Sequence, residues 1–135
     1  MRLAAVAITC LGACSAYHPG TLAPGPGGAV GAAGCVDVAI TPRPELDAIG
    51  RVVEIAVGNG CDRAVEVDLG AVRAPGYAAF DPRGEIRPAV LDARTTAVEI
   101  IEFRPVAGLA PSTCFDVSAV AGTAVTPPTL CLGVL

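Results

Sequence analysis

The sequence predicts an all-β protein, an antiparallel β-sandwich of about seven short strands preceded by a leader and a disordered tether. Three observations predict it. From position 35 onward apolar residues recur with period two, the alternation of half-buried strands. Turn-forming residues separate the runs. Helical periodicity is nearly absent, and "PELDAIG" at 44–50 suffices for one turn at most. With 135 residues the chain has material for one domain.

Residues 1–13 read as a secretory signal peptide. Arg2 supplies the positive n-region, Leu3 to Leu11 form a short apolar run, and Gly12 and Ala13 are small residues before a cut. Leu11-Gly12-Ala13-Cys14 resembles the lipobox of bacterial lipoproteins: an aliphatic residue, two small residues, then Cys. The resemblance implies that Cys14 is lipidated on sulfur, that the signal peptidase cuts before it, and that the new amino terminus is acylated. Cys10 is the competing site, but Thr9 precedes it and its apolar run is shorter. The n-region departs from the family in having one Arg instead of two or more. Each buried methylene contributes ~0.8 kcal/mol and one short chain holds only marginally, so two or three chains make attachment permanent. The membrane is therefore an expected partner, reached through the N-terminal lipid. Ser15 follows the Cys, where the family's inner-membrane retention signal is Asp; the implied location is the cell envelope, at the outer membrane.

Residues 14–34 are expected to be the lipidated Cys and a flexible tether. Gly, Pro and Ala make up 14 of the 20 residues from 15 to 34, too little bulk for a core. As a random chain this stretch spans roughly 25 Å. Its glycines do not form a phosphate loop, because no Lys-Ser/Thr completes one. His18, the only His, reads as a spacer residue.

Residues 35–135 are the expected sandwich. "CVDVAI" sets Val36, Val38 and Ile40 on one side, and "RVVEIAV" does the same for Val53, Ile55 and Val57. "RAVEVDLGAV" opposes Val65, Val67 and Leu69 to Glu66 and Asp68. "GYAAF" and "IRPAV" flank Asp81-Pro82-Arg83-Gly84, the pattern of a type I turn. "TAVEIIEF" is a strand of less definite facing. "CFDVSAV" opposes Phe115, Val117 and Ala119 to Asp116 and Ser118, and "LCLGVL" turns Leu130, Leu132 and Val134 inward.

One corner carries a second resemblance. Leu109-x-Pro111-Ser112-Thr113-x-Phe115-x-Val117 is similar to the corner before the sixth strand of fibronectin type III and related immunoglobulin-like domains. That likeness implies an immunoglobulin-like sandwich. Phe115 replaces the family's Tyr, so the corner hydroxyl bond is lost, and there is no Trp. The likeness implies nothing about a ligand, because such folds host unrelated functions.

With Cys10 removed and Cys14 lipidated, Cys35, Cys61, Cys114 and Cys131 remain, with three pairings open. The preferred pairs are Cys35–Cys61 and Cys114–Cys131. Facing Cys114 with Cys131 sets a hairpin that turns at Gly122-Thr123, a sequence suited to a two-residue type II′ turn. Both cysteines then lie opposite the Phe115 and Leu130 face. Pro127-Pro128 weakens this hairpin, since neither donates to a ladder. Cys35 faces Cys61 if the first two strands pair around "TPRPELDAIG", although Asn59-Gly60 is itself a turn signal. An exported compartment permits both bridges.

The net charge is −4, there is no Lys, and no Arg cluster stands out, a poor match for nucleic acid. No window reaches the ~18 apolar residues of a spanning helix. No metal or cofactor is expected, since there is no CxxC pair and no His near the cysteines. Catalysis needs a base and a nucleophile, and residues 35–135 contain neither His nor Lys. The expected function is non-catalytic: a lipid-anchored envelope protein acting as a binding module for an unidentified protein or ligand. Tyr77 and Phe80, near Arg73, Arg83, Arg87 and Arg94, are its candidate contacts, because aromatic and Arg residues anchor interfaces. The alternatives are a structural accessory subunit of an envelope or cell-wall complex and, remotely, a hydrolase using paired carboxylates.

Overall fold

The computed structural model describes residues 16–47, 50–80 and 86–133. The leader, Cys14, the turn at 81–84 and Val134 lie outside the described residues. Among the described residues nine strands form: β1 (Ala29–Ala33), β2 (Val36–Pro42), β3 (Arg51–Asn59), β4 (Val65–Val67), β5 (Tyr77–Phe80), β6 (Ala89–Leu91), β7 (Thr96–Pro105), β8 (Cys114–Asp116) and β9 (Thr129–Cys131). There is no α-helix among the described residues, only 3-10 turns at Pro44–Leu46 and Leu69–Ala71. The protein is all-β and its pairing is antiparallel throughout these strands.

One five-stranded sheet has the order β1-β2-β3-β7-β5. Its centre is the β2–β3 hairpin, in which Val38 pairs with Val57 and Ile40 with Ile55. Branched residues at every second position favour this pleated surface. The hairpin loop is closed locally: the Arg43 N–H donates to the Val52 carbonyl, and the Asp47 carboxylate accepts the Val52 N–H at 2.7 Å. β7 continues the sheet, with Val53 opposite Ile101. Its facing is now defined: Ile101 and Phe103 are buried, while Val98 and Ile100 are exposed.

Two short ladders, β4-β6 and β8-β9, supply the second layer. Arg73 and Asp116 exchange both backbone hydrogen bonds, and the Asp68 N–H donates to the Val120 carbonyl. Between the layers lie Val38, Ile40, Val53, Ile55, Val57, Ile101 and Phe103 from the sheet. Val67, Leu69, Val72, Phe115, Val117, Val120 and Leu130 come from the other side. Phe103 and Phe115 meet edge to face, with centroids 5.0 Å apart. Each such side chain, fully buried, contributes roughly 1.5–3 kcal/mol.

Four expectations change. The second layer is two three-residue ladders, not a continuous sheet. β4 gives way to the Leu69–Ala71 turn, and β8 stops where Val117 begins a turn closed by the Val120 N–H. That turn exposes Ala119 and buries Val120 instead. The Cys114 register is as expected, with Phe115 opposite Leu130, but no two-residue turn at Gly122-Thr123 closes it. Instead residues 117–128 make a longer excursion, and Thr126 bridges to Ala32 of β1. The Leu109 corner is also looser than the likeness implies, because Leu109 is 58% exposed.

The largest correction concerns the tether. From Tyr17 onward the chain is held against the sheet. Ala29–Ala33 is a strand paired along its length with β2. Tyr17 is buried, with its ring against Gly58, where a Cβ would overlap the ring. The Gly25 N–H donates to the Thr41 hydroxyl at 2.9 Å. Small residues contribute little apolar area, but they let a backbone lie close to a sheet and satisfy itself there.

Both preferred disulfides are present, Cys35–Cys61 and Cys114–Cys131. The β2–β3 register is one residue away from placing Cys35 opposite Cys61. Val36 pairs with Asn59, so the bridge forms just beyond the ladder, beside the Gly60 N–H bond to the Cys35 carbonyl.

Candidate functional site

The face of the large sheet turned away from the core carries Asp37, Ala39 and Thr41 of β2, Glu54, Ala56 and Gly58 of β3, and Val98 and Ile100 of β7. Residues 17–28, the N-terminal arm, lie over its β2–β3 half. The arm is held at three points. The Tyr17 N–H donates to the Arg94 carbonyl at 2.9 Å. The Tyr17 hydroxyl and the Gly20 N–H both donate to one carboxylate oxygen of Asp37, a side chain only 5% exposed. The Gly25–Thr41 bond is the third. Burial pushes the Tyr17 phenol up to about 12, helped by its hydrogen bond to Asp37 and by that carboxylate's charge.

Beside the arm a groove of about 440 Å³ runs toward the β2–β3 loop, walled by Ala23, Pro26, Thr41, Arg43, Glu54 and Ala56. Arg43 forks between two carboxylates: Nε bonds Glu45 and a terminal nitrogen bonds Glu54 at 2.7 Å. Its guanidinium is held above the ordinary range, first by Glu45 and then by Glu54, and Glu45 is correspondingly lowered by Arg43. Both carboxylates of the groove are thus engaged by one cation. What it offers a ligand is shape, a hydroxyl, apolar walls and an exposed ion pair.

Of the sequence-predicted contacts, the structure describes the side chains of Tyr77, Arg73, Arg87 and Arg94. Tyr77 is half-buried and packs on the core, opposite Pro105. Phe80 ends β5, paired with Glu102. Arg83 lies outside the described residues and Arg87 is exposed. Arg73 turns back on its own chain, donating to the Gly70 and Val72 carbonyls. Arg94 sits at φ 60° and serves the arm through its carbonyl. His18 is exposed, and its carbonyl accepts from Thr21.

Sequence reasoning missed two polar centres. Asp37 stands among apolar residues of β2, and its interruption of "CVDVAI" was a legible signal. Asn59 is fully buried; its amide nitrogen lies 3.0–3.1 Å from the carbonyls of Arg63, Leu91 and Asp92, and its oxygen accepts the Cys61 N–H. It closes the chain around Cys61 where a simple turn was expected.

Among the described residues no group of three or more His, Cys, Asp or Glu is placed to hold a metal ion, and no helix is long and apolar enough to cross a membrane. Comparison with protein-family models, with curated proteins and with solved structures finds no match.

Proposed function

We propose that this protein is a non-catalytic, lipid-anchored protein of the bacterial envelope, displaying a small β-domain that binds a partner. One observation carries the proposal. Cys35, Cys61, Cys114 and Cys131 are consumed in two disulfides. Within a mature chain starting at Cys14 this leaves Cys14 as the one cysteine outside a bridge, and it stands in the lipobox-like Leu11-Gly12-Ala13-Cys14. Two disulfides in a domain this small also fit an oxidising, exported compartment. The groove at Arg43 is the surface best equipped for the partner, and its lining supplies recognition without a nucleophile–base pair. The Phe115 corner supports an immunoglobulin-like sandwich, while the exposed Leu109 and the three-residue β8-β9 ladder weigh against it.

The test is the intact mass of protein extracted from membranes, before and after reduction and alkylation. The reading expects a chain starting at Cys14 with acyl mass, and four thiols that appear only on reduction. Cys14→Ser should move the protein to the soluble fraction. An unacylated chain, or a Cys14→Ser protein that stays membrane-bound, overturns the anchor.

A further inference from the structure

Resting on the anchor at Cys14, we propose that the domain does not swing on a tether but lies on the bilayer, with the Val98 and Ile100 face of β7 against the phospholipid surface. The argument is one of chain length. Tyr17 is buried and fixed by its backbone bond to Arg94 and its hydroxyl bond to Asp37. Only two residues, Ser15 and Ala16, separate it from Cys14, and the three residue steps from Cys14 to Tyr17 reach about 10 Å at full extension. A free chain from 15 to 34 would have lifted the domain by roughly 25 Å. The arm removes that slack by packing residues 17–33 onto the sheet.

Where the arm begins then decides which surface meets the lipid. Tyr17 sits on Gly58, at the end of β3 that pairs with Thr96 of β7. Two residues along β7 is Val98, 55% exposed, followed on the same face by Ile100, 41% exposed. Ala56 lies beside Val98. The neighbouring carboxylates are engaged, Glu54 by an Arg43 that it shares with Glu45, and Glu102 by Arg104, which leaves one net negative charge among these five groups, a small opposition to contact with a zwitterionic surface. An apolar patch at the interface settles about 5–10 Å into the headgroup and acyl boundary.

The chain has no Trp, so a single introduced indole reports its own depth. Full-length acylated Val98→Trp and Leu109→Trp proteins are reconstituted in vesicles of brominated phosphatidylcholine. Position 109 follows the far end of β7, about 30 Å along the sheet from Thr96. The Val98→Trp protein should lose about half its indole emission or more at that interfacial depth, and the Leu109→Trp protein should be unaffected. Adding Tyr17→Ala to Val98→Trp should restore the emission by freeing the arm. Amide exchange of the unsubstituted protein is an independent check: β7 should be more protected on vesicles than in the soluble Cys14→Ser protein. If the Val98→Trp protein is unquenched although its acyl mass is verified, or if both variants are quenched alike, the proposed orientation is wrong while the anchor stands. If no acyl mass is found, the anchor fails and this inference falls with it.

Discussion

The Tyr17 hydroxyl donates to the buried carboxylate of Asp37, joining the start of the arm to the middle of the sheet across twenty residues of sequence. Tyr17→Phe keeps the ring on Gly58 and removes only this bond. Asp37 then retains the Gly20 N–H alone. A hydrogen bond to a buried charge contributes about 1.5–3 kcal/mol. Urea unfolding of the soluble Cys14→Ser protein should show a loss in that range, with proteolysis beginning in residues 18–28.

Burial of the same phenol, with its bond to Asp37, sets a pH dependence. The folded-state phenol is raised from 10.0 to about 12, so the native state holds its proton more tightly than the unfolded chain. Its contribution is complete below about pH 10 and is lost as pH rises through about 12; a difference of that size corresponds to about 3 kcal/mol. An ultraviolet titration of the two tyrosines should show one of them ionising late, and Tyr17→Phe should abolish that late step.

Gly58 faces the Tyr17 ring so closely that any side chain must displace it. Gly58→Ala should cost about 1–3 kcal/mol through overpacking. In a Tyr17→Ala background most of that cost should vanish, because the overlapping atoms are gone. A double-mutant cycle on urea midpoints measures the coupling.

Asn59 bonds the Cys61 N–H and the Arg63, Leu91 and Asp92 carbonyls from a fully buried position. Asn59→Leu leaves the Cys61 N–H without its side-chain acceptor and removes the amide donor shared by the Arg63, Leu91 and Asp92 carbonyls. The expected loss is about 2–4 kcal/mol, readable in thermal unfolding. Asn59→Asp should be at least as damaging at neutral pH, since a carboxylate would face those carbonyls.

Removing either disulfide by paired Cys→Ser substitution should cost about 3 kcal/mol in the loop-entropy account, for closed loops of 26 and 17 residues. Together they are a large share of the ~5–15 kcal/mol of a small domain. Unfolding with and without reductant checks this, and equal midpoints would contradict it.

Much of the domain was legible in residue order because strand facing is a local property. Alternation in "CVDVAI", "RVVEIAV" and "RAVEVDLGAV" is enough to name Val38, Ile55 and Val67 as core, and the structure buries all three. The Cys114–Cys131 pair was legible for a related reason: opposite positions in a hairpin have a constant sum, which these two satisfy, whereas Cys35 and Cys61 bridge one position off the β2–β3 register. Tertiary structure alone decided the rest. "AVGAA" carries too little bulk to declare itself a strand, and it becomes β1 only because β2 offers an open edge. Tyr17 lies in a Gly/Pro stretch that reads as a tether until Asp37 and Gly58 are placed beneath it. Alternation fixes which way a side chain points, because that is set by its neighbours in sequence. Which distant backbone covers a face depends on hydrogen-bond partners and close approaches that no local pattern records, and here those contacts turned an expected tether into an arm.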